Sequence, residues 1–133
     1  MSFLSTSRNR LVLVLWLVGI HSIVVGFGLI FLPPSYVPFF GFAPFAEKFF
    51  PVQGGVFHLV MAVAYIMAAV RPERYPGLII LSFVAKLMAA AFLLTYYILI
   101  DRIWMVLFSG VGDALMGLVI YLLYRAFNRE TAS

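Results

Sequence analysis

The sequence predicts an all-α membrane protein: an antiparallel, up-down bundle of four transmembrane helices with both termini in the cytoplasm. Three observations predict it. The chain is 65% hydrophobic and only 11% charged, with a mean hydropathy of +1.10; soluble domains run nearer 45–50% apolar and about 25% charged. Four apolar stretches are each long enough for a hydrocarbon core, which takes about 20 helical residues. The arginines gather in alternate connections, as membrane orientation requires. The 133 residues make one domain, 1–133, and the apolar composition excludes a disordered chain or an ordinary soluble globule. There is no cysteine, which excludes disulfides, thiolate metal sites and iron–sulfur clusters.

The first span runs over about 11–32, free of charge, and stops at Pro33 and Pro34. Its basic start, Arg8 and Arg10, resembles that of a signal peptide. The apolar run is too long for one, however, and no small-residue cleavage site follows, so the span is read as uncleaved. The second span covers about 50–70 and ends before Arg71-Pro72; the third covers about 77–100, opening near Pro76-Gly77; the fourth covers about 103–124. Short connections force neighbouring helices to run antiparallel. Arg8, Arg10, Arg71, Arg74, Arg125 and Arg129 fall on one side, and only Lys48 and Arg102 on the other. The pI of about 9.7 is therefore a topology signal, and no nucleic-acid partner is implied.

The connection over about 33–49 is unlike the others. It holds four prolines and the aromatic residues Tyr36, Phe39, Phe40, Phe42, Phe45 and Phe49. Such a loop suits the lipid interface better than water. Phe42, Phe45, Ala46 and Phe49 share a helical face with Glu47 and Lys48 turned away, which predicts a short interfacial or re-entrant segment. It reads as a lid on the bundle, as a mouth for a lipophilic ligand, or as a contact for another subunit. Gly54-Gly55, just beyond it, reads as close helix packing or as backbone left open to a ligand.

Four titratable residues lie within the spans, one on each: His21, His58, Lys86 and Asp113. Counted from the cytoplasmic end at 1.5 Å per residue, they lie roughly 15, 18, 14 and 16 Å deep, near the middle of a core about 30 Å thick. A charge there costs about 3 to 10 kcal/mol or more, so such groups are usually paired, functional, or both. Lys86 and Asp113 have opposite charge on consecutive helices. Small neighbours, Gly110 and Gly117 on one helix and Ala89 and Ala90 on the other, favour their close approach. Gln53 and Tyr65 extend the polar seam outward and inward. His21 and His58, on adjacent helices, also suit the two axial positions of a haem or chlorin. Ser82 and Ser109 lie one turn before Lys86 and Asp113. Tyr96, Tyr97, Trp104, Tyr121 and Tyr124 lie near span ends as interfacial anchors. No phosphate-binding glycine loop, metalloprotease motif or nucleophile elbow is present, and no catalytic or metal-binding residue is assigned.

The stretches Gly26-Phe-Gly-Leu-Ile-Phe-Leu-Pro33, Phe40-Gly-Phe42, Gly55-Val-Phe-His58 and Ala69-Val-Arg-Pro72, with Lys86 and Asp113, resemble small bacterial four-span proteins of the DoxX-like kind. The resemblance covers most of the chain. It implies the fold, the topology and a bacterial inner (cytoplasmic) membrane; some members of that group are associated with membrane oxidoreductases. The functional expectation is an accessory or small-molecule (lipid- or quinone-like) binding subunit of a larger membrane assembly, with no catalysis of its own. Two alternatives stand beside it: a bis-histidine haem or pigment subunit for electron transfer, and a homo-oligomeric proton-coupled carrier. The expected partners are the lipid bilayer and other membrane subunits or further copies of the chain. No cofactor is assigned.

Overall fold

A computed structural model describes residues 5–44 and 46–132. It contains four long helices, α1 (Ser7–Phe31), α2 (Phe49–Val70), α3 (Pro76–Leu99) and α4 (Trp104–Ala132), and a 3₁₀ segment over Pro34–Phe40. Among the described residues there is no strand. All four long helices have the length and apolarity of membrane spans, yet only 22–28% of each span is buried inside the bundle. The outward surface is apolar instead, with Leu17, Val24, Phe57, Val60, Met88 and Phe108 exposed. An apolar surface of that extent belongs in lipid, where helices satisfy their own backbone groups. The chain is a multi-pass membrane protein.

The helix ends follow from local chemistry. α1 starts four residues earlier than its apolar run because the Thr6 side chain accepts a hydrogen bond from the Asn9 N–H, capping the helix. α2 is opened by Glu47, whose carboxylate accepts from the Phe49 N–H at 2.7 Å. α3 opens on Pro76 at its first turn, where the missing N–H costs nothing. α4 runs eight residues past the expected end at 124, to Ala132. Its polar last turns stay helical because Phe127 is buried against the bundle and the Thr131 hydroxyl donates to the Phe127 carbonyl.

Packing divides the bundle into two antiparallel hairpins. α1 lies along α2, and α3 along α4; the seams between α1 and α4 and between α2 and α3 are thinner. In the first hairpin Gly26 and Gly55 bring the two backbones together. A side-chain carbon at Gly55 would stand 2.6 Å from the Gly26 carbonyl oxygen, so glycine is required by the crossing itself. In the second, Gly110 meets Leu93 and Leu94, and Gly117 meets Leu87. The core that joins all four helices comprises Leu11, Leu15 and Val18, Tyr65, Ala68 and Ala69, Ile79, and Ile120 and Phe127. These residues lie towards the end where α1 begins and α4 finishes.

That end is also tied by polar contacts. The Ser7 N–H and hydroxyl both donate to the Glu130 carboxylate, at 3.2 and 2.6 Å, so the last turn of α4 caps the first turn of α1. Arg8 Nε donates to Glu73 in the α2–α3 connection at 2.5 Å. The bond from Arg8 holds the Glu73 carboxyl below its ordinary range.

The opposite end is closed by the aromatic connection, whose helical turn does not fall on the face that the spacing of Phe42, Ala46 and Phe49 suggests. The helical turn lies upstream, at Pro34–Phe40, where Pro34 presets the first turn. It stops at Gly41, whose φ of +87° is left-handed; a side-chain carbon at that position would also stand 3.1 Å from the Trp104 ring. Residues 42–44 and 46–48 form no helix, and Phe45 lies outside the described residues. Phe39 meets the Trp104 ring edge-on and Phe40 stacks on it, fastening the connection to the start of α4.

This fold places the beginning of α1 and the end of α4 on the same side. Reporter fusions after the last residue of α4 and in the connection near Lys48 are therefore expected to report opposite compartments. The same compartment at both positions would contradict the four-span arrangement.

Candidate functional site

Lys86 and Asp113 meet in the interior of the α3–α4 hairpin. The lysine is 3% exposed and the aspartate 7%, and Lys86 Nζ donates to Asp113 Oδ1 at 2.6 Å. Glycine makes the approach possible: a side-chain carbon at Gly117 would stand 3.2 Å from Lys86 Cβ, crowding the lysine stem itself. Each charge neutralises the other where water is excluded, and removing one partner would strand the other in hydrocarbon.

The neighbouring hairpin presents Tyr65 of α2, only 2% exposed, with its ring centroid 5.9 Å from Lys86 Nζ. This contact crosses the thin α2–α3 seam and sets an aromatic face beside the ammonium. The α1–α2 hairpin has a polar tie of its own. Ser22, 1% exposed, lies with its Oγ 3.5 Å from Nδ1 of the half-buried His58. Sequence reasoning missed Ser22. The signal was the run Leu15, Val18, Ser22, Gly26, a buried helical face on which a hydroxyl calls for a partner.

His21 takes a different position. It is exposed and lines an open groove of about 360 Å³ between α1 and α4, with Val14, Leu17 and Val18 on one wall and Leu115, Met116 and Val119 on the other. Met116 is one turn from Asp113, so the groove runs past the buried pair at similar depth. His21 and Ser22 are successive residues, about 100° apart around α1. His58 accordingly neighbours α1 on the Ser22 side, while His21 is on the side towards α4. Gln53 is exposed and makes no hydrogen bond to the cluster, and Ser82 bonds its own helix, donating to the Leu78 carbonyl at 2.7 Å. Among the described residues no group of three or more His, Cys, Asp or Glu side chains is arranged to hold a metal ion.

The site therefore combines a neutral ion pair, a phenol, a hydroxyl–imidazole contact and a second imidazole facing the lipid. It can offer hydrogen bonds to a polar head in an apolar setting. Fold and site define a four-span integral membrane protein with a polar layer at mid-depth. No family model, no curated protein and no solved structure matches the chain.

Lys86→Met or Asp113→Leu alone is expected to destabilise the protein by about 3 kcal/mol or more. The double change should recover much of that loss, because no lone charge remains. Thermal unfolding in detergent measures all three. A double mutant as unstable as the sum of the single changes would show that the two groups do not act as a pair.

Proposed function

We propose that this protein is a non-catalytic subunit of a larger membrane assembly that binds a small lipophilic molecule with a polar head. The observation that carries this reading is the groove between α1 and α4, with His21 on its wall and the Lys86–Asp113 pair one turn from its lining. Small-molecule sites are mostly apolar concavities of about 300–1,000 Å³ with a few well-placed polar groups. A groove open to lipid admits a ligand sideways from the bilayer, so its apolar body never crosses water. Its head reaches His21 first. The exposed aromatic residues Tyr36, Phe39, Phe49 and Phe50 at the far end offer a contact for another membrane subunit.

The arginine distribution supports placing the termini in the cytoplasm, and the resemblance to DoxX-like proteins supports a bacterial inner membrane. In the fusion experiment above, this orientation expects the reporter after α4 to read the cytoplasm.

Mild extraction from native membrane tests the binding reading. One lipophilic species beyond bulk phospholipid is expected in near-stoichiometric amount, in a particle larger than the 14.9 kDa chain. Val119→Trp, which fills the groove from its exposed wall, should release that species while the protein stays folded and inserted, with thermal stability falling only by the lost binding. A lone chain carrying only bulk lipid would overturn the proposal. A haem-like visible band would replace it with electron transfer through His21 and His58, and proton-driven uptake into vesicles would replace it with a carrier.

A further inference from the structure

We propose that the end of the bundle carrying Arg71, Arg74, Arg125 and Arg129 is a binding surface for anionic phospholipid, with the guanidinium groups holding the lipid phosphates. The formal net charge of the chain is +4. Lys86 is cancelled by Asp113, and at the far end Lys48 and Arg102 are balanced by Glu47 and Asp101, so the whole excess resides at this one end. The two carboxylates present there are already engaged, Glu73 with Arg8 and Glu130 with Ser7. Arg71, Arg74, Arg125 and Arg129 are exposed and form no ion pair with a carboxylate among the described residues.

Their height in the membrane matches phosphate. The 29 residues of α4 span roughly 44 Å of helix, against a hydrocarbon core of about 30 Å. The apolar stretch of α4 ends at Tyr124, so Arg125 and Arg129 emerge at headgroup level. The Ser7–Glu130 contact keeps that projecting turn beside the bundle. Two of the arginines are held by tyrosine rings: Arg74 lies 5.6 Å from the Tyr75 centroid, and Arg125 lies 5.7 Å from that of Tyr121 while donating to its hydroxyl at 3.4 Å. Tyrosine favours the headgroup region. A guanidinium held beside the ring still has further N–H donors for phosphate oxygens. Basic residues near an anionic leaflet each add to lipid affinity. Orientation in the membrane draws on all six arginines, whereas this surface draws on these four, which form no carboxylate ion pair among the described residues.

Native mass spectrometry of the purified protein, titrated with phosphatidylglycerol or phosphatidylcholine in neutral detergent, reads the proposal directly. Phosphatidylglycerol should bind at least about tenfold more tightly. The preference should largely vanish when the four arginines are changed together to glutamine, with Arg8 and Arg10 kept for orientation. It should persist in Lys48→Gln/Arg102→Gln at the opposite end. Should the fourfold variant not insert, salt makes the same test on the unaltered protein, since screening at 1 M, with a Debye length of about 3 Å, weakens attraction between exposed charges. Equal binding of the two lipids, or a preference untouched by both the substitutions and salt, would overturn the proposal. Displacement of the lipid by millimolar inorganic phosphate would assign the surface to soluble phosphate instead, and displacement by polyglutamate to an acidic protein segment.

Discussion

A lysine and an aspartate in the middle of apolar spans are tolerable only in contact, and the rest of the second hairpin is arranged around that contact. The ammonium and carboxylate stand 2.6 Å apart, which fixes how α3 and α4 are rotated and how far they slide past each other. Gly110 and Gly117 suit that approach, because a side-chain carbon at either would stand 3.0–3.2 Å from α3 side chains and make them give way by a few tenths of an ångström. A membrane offers little hydrophobic force between helices, so packing and polar contacts must provide specificity. An ion pair does this strictly: a shift of one residue in register leaves two stranded charges.

The first hairpin uses another device for the same purpose. Gly26 and Gly55 allow backbone approach, and Ser22 and His58 supply the polar tie. Each hairpin is thus internally specified, and the seams between them are thinner. What joins them is the core around Leu15, Tyr65, Ile79 and Ile120, together with the Ser7–Glu130 and Arg8–Glu73 contacts at the same end. At the other end the 3₁₀ segment fastens the first hairpin to Trp104 of the second. Between these closures the α1–α4 seam opens as the His21 groove.

Much of this was legible in the residues because apolar length, proline punctuation and arginine placement are local properties. Depth was legible too: a constant rise per residue set Lys86 and Asp113 level before any contact was known. Rotation about the helix axis was harder to read. Equal depth grouped His21 with His58, yet Ser22 neighbours His58 while His21 lines a groove on the α4 side, a difference of one residue in sequence. The aromatic connection misled for another reason. The spacing of Phe42, Ala46 and Phe49 fits a helix, but Gly41 in the left-handed region ends the helical turn before that face can form. The extra length of α4 was hidden because Arg125 and Asn128 end hydrophobicity without ending helix propensity.

The buried pair is also the feature most open to direct measurement. The chain has two lysines, Lys48 and Lys86, and two aspartates, Asp101 and Asp113. Lys48→Arg and Asp101→Asn leave one of each, so isotope labels on lysine Nζ and aspartate Cγ report a single distance by solid-state NMR in lipid bilayers. A hydrogen-bonded ammonium–carboxylate pair gives roughly 3.5 Å between those two atoms, and that strong coupling is the expected result. No measurable coupling between the labels, with the protein folded and inserted, would contradict the ion pair and the helix register that depends on it.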